Sequence, residues 1–155
     1  MKNGRCGTGF GPHLIFHGFC CPSSRLDELG RLYRLLETLP ARIHMTKIMP
    51  PYVLRHDASG GSEPGYSGFV LIAQSHISIH TLPDRGLMSA DIFSCETFDV
   101  EDAIAVLKRE FRPRRVEWQL LDRGSEFPRD IAGSRALVGQ ERRRLATALG
   151  LEAMR

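Results

Sequence analysis

Several features are scarce in this 155-residue chain, and each scarcity removes a class of function. No apolar run approaches the roughly 20 residues that a membrane-spanning helix requires, so a membrane span is excluded. The first residues, MKNGRCGTGFGPH, are basic but lack the apolar core of a secretory signal, which leaves the cytoplasm as the expected location. The four cysteines, Cys6, Cys20, Cys21 and Cys95, form no CxxC pair, and two of them are adjacent, so free thiols are expected instead of a disulfide framework. Internal repeats and low-complexity tracts are also missing. The net charge is only +3, and the arginines cluster in REFRPRR and ERRR without interleaved aromatics. No nucleic-acid motif accompanies these clusters, so they read as solvated surface and no nucleic-acid partner is expected.

What is present suits one compact domain, expected over residues 13–126, with a flexible lead-in at 1–12 and a tail at 127–155 that could be helical. HLIFHGFC (13–20) reads as a first strand. SSRLDELGRLYRLLETL (23–39) reads as an amphipathic helix, because Leu26, Leu29, Tyr33, Leu36 and Leu39 recur at three- and four-residue steps. Ser24 is its expected cap and Pro40 its expected end. RIHMTKIM and YVLRH (42–56) suggest a strand interrupted or edged by Pro50 and Pro51, which cannot donate to a sheet ladder. DASGGSEPG (57–65) reads as a loop, and YSGFVLIA, SHISIHTL and SADIFSC as three β-segments, the last two separated by the turn PDRG. DVEDAIAVLKREF (99–111) reads as a helix capped by Asp99, and RRVEWQLLDRG (114–124) as a last strand. The fold class expected is α+β: a two-layer sandwich, with a mainly antiparallel sheet and helices on one face.

The chemistry concentrates in GFVLIAQSHISIHTLPDRGLMSADIFSC, residues 68–95, where an otherwise buried strand carries Gln74, Ser75, His76 and His80 and the run closes on Cys95. In an extended strand Ser75, Ile77 and Ile79 share one face while His76, Ser78 and His80 share the other. The two histidines would lie about 13 Å apart in a strand, so no metal site is expected. A Ser75–His80 nucleophile–base pair also fails within one chain: no G-x-S-x-G elbow surrounds Ser75, and five strand residues separate the groups by roughly 16 Å on opposite faces. Cooperation between them needs either a sharp bend or a second copy of the chain, and symmetric homodimers are the commonest oligomers.

SHISIHTLPDRGLMSADIFSC resembles the heart of the prokaryotic S-adenosylmethionine decarboxylase proenzymes: a serine-histidine pair opening a strand that ends in Ile-His-Thr, a Pro-acidic turn, and an Asp-x-Phe-x-Cys strand. HLIFHGF and DVEDAIAVLKREF match that family's layout on either side, so the resemblance runs from His13 to about Glu126. It implies self-cleavage between Gln74 and Ser75, an N-to-O acyl shift and elimination that turn Ser75 into a covalent pyruvoyl cofactor able to hold substrate as a Schiff base. It further implies Cys95 as the catalytic proton donor, His80 as the proton acceptor in processing, and Ser67 as a processing residue. Asp84 sits where the family binds ribose hydroxyls. A thiol with a pKa near working pH would suit the role of Cys95.

The implied reaction releases carbon dioxide from S-adenosyl-L-methionine to supply the aminopropyl donor for spermidine. The implied assembly is a homodimer in which Ser75 and Cys95 of one protomer meet Ser67 and His80 of the other. Alternatives are an arginine or ornithine decarboxylase of the same family, or a non-catalytic regulatory relative. Three positions depart from the family pattern: Gln74 stands for the usual Glu before the serine, His17 for an acidic side chain on the first strand, and the stretch GGSEPGY before Ser67 does not by itself place the adenine-stacking aromatic. Tyr52, Tyr66 and Phe16 are the candidates for that stacking role.

Overall fold

The computed structural model of the protein describes residues 11–57, 63–73, 75–123 and 136. Pro12–Leu121 form one compact unit. The strands are β1 (Gly11–Phe19), β2 (Thr46–Lys47), β3 (Tyr52–His56), β4 (Gly65–Ala73), β5 (Ser75–Leu82), β6 (Leu87–Ser94) and β7 (Arg115–Arg123). The helices are α1 (Ser23–Leu26), α2 (Leu29–Arg42) and α3 (Val100–Phe111). The strands form one sheet in the order β2-β4-β5-β6-β1-β7, with β3 also on β4. The β1–β6, β5–β6, β4–β5, β3–β4 and β2–β4 pairs are antiparallel, as the α+β reading expects.

The diprolyl expectation has a concrete form. Thr46 and Lys47 pair with Ala73 and Ile72, and Tyr52 to His56 pair with Phe69 to Gly65, so β2 and β3 lie along the same edge of β4 with Pro50 and Pro51 between them. Two prolines without N–H groups interrupt the ladder there at no cost in orphaned donors. Alternation does the rest. Val70 and Ile72 of β4, Ile77 and Ile79 of β5, Ala90 and Ile92 of β6, and Leu14 and Phe16 of β1 point to one face. There they bury against Leu32, Leu35, Leu36 and Leu39 of α2 and Ala103, Leu107 and Phe111 of α3. The other face carries Ser67, Phe69 and Leu71 of β4 and His76, Ser78 and His80 of β5, with Tyr52 56%, Phe69 40% and Leu71 38% exposed.

The single helix expected over 23–39 is two. Thr81 Oγ1 donates to the Leu26 carbonyl at 3.0 Å and the Tyr66 hydroxyl donates to Asp27 Oδ1 at 3.0 Å, so sheet side chains take groups at the junction and α1 ends at Leu26. Ser24 lies inside α1 instead of capping it; Pro22 holds the cap position with no side-chain bond. Pro40 does not end α2, which runs on to Arg42. Pro40 is buried and its carbonyl accepts from the Ile43 and Met45 amides, which offsets the helix bond it cannot make. Asp99 caps α3 as expected, accepting from the Asp102 amide at 2.9 Å. The turn at 83–86 is a short 3-10 helix closed by Gly86 in the left-handed conformation, φ 60°.

Two glycines on β4 test how tightly these layers meet. A Cβ on Gly65 would collide with the Thr81 carbonyl oxygen, whereas one on Gly68 would lie 2.7 Å from Leu36 Cδ1 and 3.0 Å from Val53 Cγ2. Backbone cannot swing aside and side chains partly can. Gly68→Ala should therefore cost about 1–3 kcal/mol as an overpacked contact, and Gly65→Ala more, read as the ordering of thermal midpoints wild type > Gly68→Ala > Gly65→Ala.

Candidate active site

β4 and β5 form a tight hairpin in which Ile72 pairs with Ser75, leaving Ala73 and Gln74 between the paired residues. Gln74 lies outside the described residues, so the expected cleavage bond is seen from its Ser75 side. Ser75 has φ 148°, a backbone region that side chains other than glycine rarely adopt. Holding a serine there costs of order 1–3 kcal/mol, sustained because neighbours on both sides fix it: Ile72 across β4 and Ser94 across β6.

Cys95 follows Ser94 directly, so the thiol and Ser75 lie at the same end of the sheet. Cys20, Cys21 and Cys95 are all free. Burial, and secondarily the Glu96 carboxylate, pushes the Cys95 thiol above its ordinary pKa. Loss of solvation disfavours the charged thiolate, which moves the group away from the lowered pKa of an activated cysteine.

Ser67 and His80 lie elsewhere. They are register partners on β4 and β5, and Ser67 Oγ sits 2.8 Å from His80 Nδ1 on the face that the helices leave uncovered. His80 pairs in turn with Ser89 of β6, and Ser89 with His17 of β1, so four polar residues cross four strands in one row. His17 also lines a surface cavity of about 690 Å³ with Ile15, Val116, Glu117, Trp118 and Gln119.

Asp84 stands exposed in the turn beyond the far end of β5, beside Arg85, which pairs with Glu63. At about 3.3 Å per residue, nine residues carry Asp84 roughly 30 Å along the chain from Ser75, and five carry His80 roughly 16 Å. One protomer therefore gathers Ser75 with Cys95, and Ser67 with His80, but not the two pairs together.

Of the aromatic candidates, Tyr66 is 8% exposed with its hydroxyl on Asp27, and Phe16 is fully buried in the core. Tyr52 presents its ring on the uncovered face, 5.9 Å from Phe69. Sequence reasoning passed over Ser94, and also the Phe93 ring, held edge-on between His13 at 5.7 Å and His76 at 5.9 Å, with His13 Nε2 3.1 Å from Asp91 Oδ1. The parity of SADIFSC could have put Ser94 on the helix-covered face, but its partner became evident only with the register.

The raised thiol is directly measurable. Iodoacetamide labelling of Cys95, followed by mass, should reach half-maximal rate at higher pH than in a model peptide. Glu96→Gln, which removes the secondary cause, should bring that midpoint part of the way down; a midpoint at or below the peptide value contradicts the assignment.

The family model for S-adenosylmethionine decarboxylase matches residues 12–124. The S-adenosylmethionine decarboxylase proenzyme of Thermoplasma volcanium is 32% identical over 131 residues, covering 84% of this chain and 92% of that one. The proenzyme of Archaeoglobus fulgidus is 48% identical over a shorter span of 61 residues, 39% of this chain and 54% of that one. The crystal structure of the adenosylmethionine decarboxylase from Aquifex aeolicus superposes with a TM-score of 0.64 at 28% identity, covering 76% of this chain and 92% of that one. The family match over most of the chain, the sequence identity and the fold agree, and the chain belongs to the S-adenosylmethionine decarboxylase family.

Proposed function

We propose that the chain is the precursor of a pyruvoyl-dependent decarboxylase that cuts itself between Gln74 and Ser75, assembles as a homodimer with shared sites, and decarboxylates S-adenosyl-L-methionine toward spermidine synthesis. The observation that carries this reading is Ser75 itself: a serine at φ 148°, pinned on both sides at a hairpin end, with Cys95 next to its register partner Ser94. A packing role gives no reason for a β-hydroxyl in that conformation.

In self-cleavage Ser75 Oγ attacks the Gln74 carbonyl carbon, the peptide C–N bond breaks, and an ester and a free amine result. His80 of the partner protomer then takes the Cα proton of residue 75, the Cβ–Oγ bond breaks, and Gln74 leaves as a carboxylate. Water replaces the residual nitrogen as ammonia. Ser75 fits the demand of this sequence, because only a side chain with a β-oxygen can first attack its own amide and then be eliminated. In the tautomer that leaves Nε2 free to accept a proton, His80 Nδ1–H donates to Ser67 Oγ, and that bond orients the ring. Once formed, the pyruvoyl group supplies the carbonyl that engages the substrate amine and accepts the electrons left by carbon dioxide. Cys95, held protonated, returns a proton to the α-carbon. Asp84 offers a carboxylate for ribose hydroxyls and Tyr52 an exposed ring for the base. Three free thiols suit a reducing compartment such as the cytoplasm.

The dimer has two supports. Ser67 and His80 lie beyond reach of Ser75 in their own chain, and their face exposes Tyr52, Leu54, Phe69 and Leu71, an apolar surface for a second copy to cover. Co-refolding a Ser75→Ala chain with a His80→Ala chain should restore cleavage of the His80→Ala chain, read on a denaturing gel, although neither cleaves alone. Absence of cleavage in the mixture contradicts the shared site. For the substrate, carbon dioxide release should be fastest from S-adenosyl-L-methionine; faster release from arginine or ornithine would overturn that assignment.

A further inference from the structure

Among the described residues two buried polar side chains stand out, Thr81 at 1% and Ser94 at 0% exposure. Thr81 is explained: its hydroxyl donates to the Leu26 carbonyl at 3.0 Å. Ser94 is not. Its oxygen accepts from the Glu96 amide at 3.0 Å, but its own proton is directed at the Met45 thioether, Oγ to Sδ 3.6 Å, a weak acceptor. A buried hydroxyl that spends its donor on sulfur forgoes most of a hydrogen bond's stabilisation and asks for an explanation.

Register supplies one. Ser94 is the cross-strand partner of Ser75, and such partners carry their Cβ atoms about 4.5–5.5 Å apart on the same face. With one lone pair taken by the Glu96 amide, the hydroxyl is oriented while its proton stays free to leave sulfur for a better acceptor.

We propose that Ser94 is a catalytic hydroxyl of self-cleavage, donating a hydrogen bond to Oγ of residue 75 as negative charge develops on that oxygen. The inference rests on the cleavage reading above. In the elimination step the Cβ–Oγ bond breaks, Oγ keeps the electron pair and becomes a carboxylate oxygen of residue 74, and the Cα proton goes to the base. A buried donor on the cross-strand partner of that residue can stabilise the departing carboxylate without solvent reorganisation, the setting in which one hydrogen bond contributes most.

The test follows first-order appearance of the two fragments in purified full-length precursor, with and without hydroxylamine, which splits an ester at Gln74. Ser94→Ala should slow spontaneous cleavage by about 100- to 1,000-fold, the range expected for loss of one donor to developing charge. It should also accumulate chain that is intact in mass yet cut by hydroxylamine, because the ester forms and does not eliminate. Ser94→Thr, which keeps the hydroxyl, should restore the rate. Met45→Leu, which removes only the weak acceptor, should leave the rate unchanged. Should Ser94→Ala fail to fold, Ser94→Cys, a poor donor of similar size, carries the same expectation.

Wild-type rates in Ser94→Ala or Ser94→Cys overturn the proposal. So does equal slowing in Met45→Leu with a matching fall in thermal midpoint, which would assign Ser94 to packing. A wild-type precursor that stays intact and resists hydroxylamine overturns the cleavage reading instead, so the two failures are distinguishable.

Discussion

The register of β5 between β4 and β6 is the constraint on which the rest depends. Fixing Ser75 opposite Ile72 on one side and Ser94 on the other sets the hairpin length, forces the serine to φ 148° and leaves Cys95 just beyond its neighbour. A slip of one residue would send Ile77 and Ile79 to the uncovered face and bring His76 and His80 into the core. The buried isoleucines therefore hold the reactive residues in place, and the free energy of the apolar layer sustains the strained backbone at the site.

The same register separates what chemistry needs together. Ser67 and His80 are bound to each other at 2.8 Å on the face without helices, while Ser75 belongs by parity to the helix-covered face at the end of the sheet. Extended strands do not fold back to close that gap, and the face bearing Ser67 and His80 also exposes Tyr52, Phe69 and Leu71. Burial and the Glu96 carboxylate push the Cys95 thiol up, and Ser67 Oγ holds the His80 ring through Nδ1.

Much of this was legible in the sequence because it depends on period and on local turn chemistry. Alternation marked β4, β5 and β6, Asp99 marked the start of α3, PDRG marked its turn, and parity alone put Ser75 and His80 on opposite faces. What stayed hidden depends on contacts distant in sequence. The break after Leu26 follows from Thr81 and Tyr66 reaching across from the sheet, and Pro40 survives in α2 because it is buried and its carbonyl is used. Tyr66 read as a candidate for the substrate because it follows a glycine-rich loop, yet the alternation of β4 turns it into the core toward Asp27. Ser94 went unnoticed because a serine at the end of a strand acquires meaning only from its cross-strand partner.

The central claim is that Ser75 is a cofactor precursor at a scissile bond. Denaturing mass spectrometry of the purified full-length chain tests it most directly. The account predicts two fragments divided between Gln74 and Ser75, the second lacking a free amino terminus and carrying a pyruvoyl cap in place of serine, with Ser75→Ala remaining whole. A wild-type chain recovered only at its full, uncut mass would contradict it.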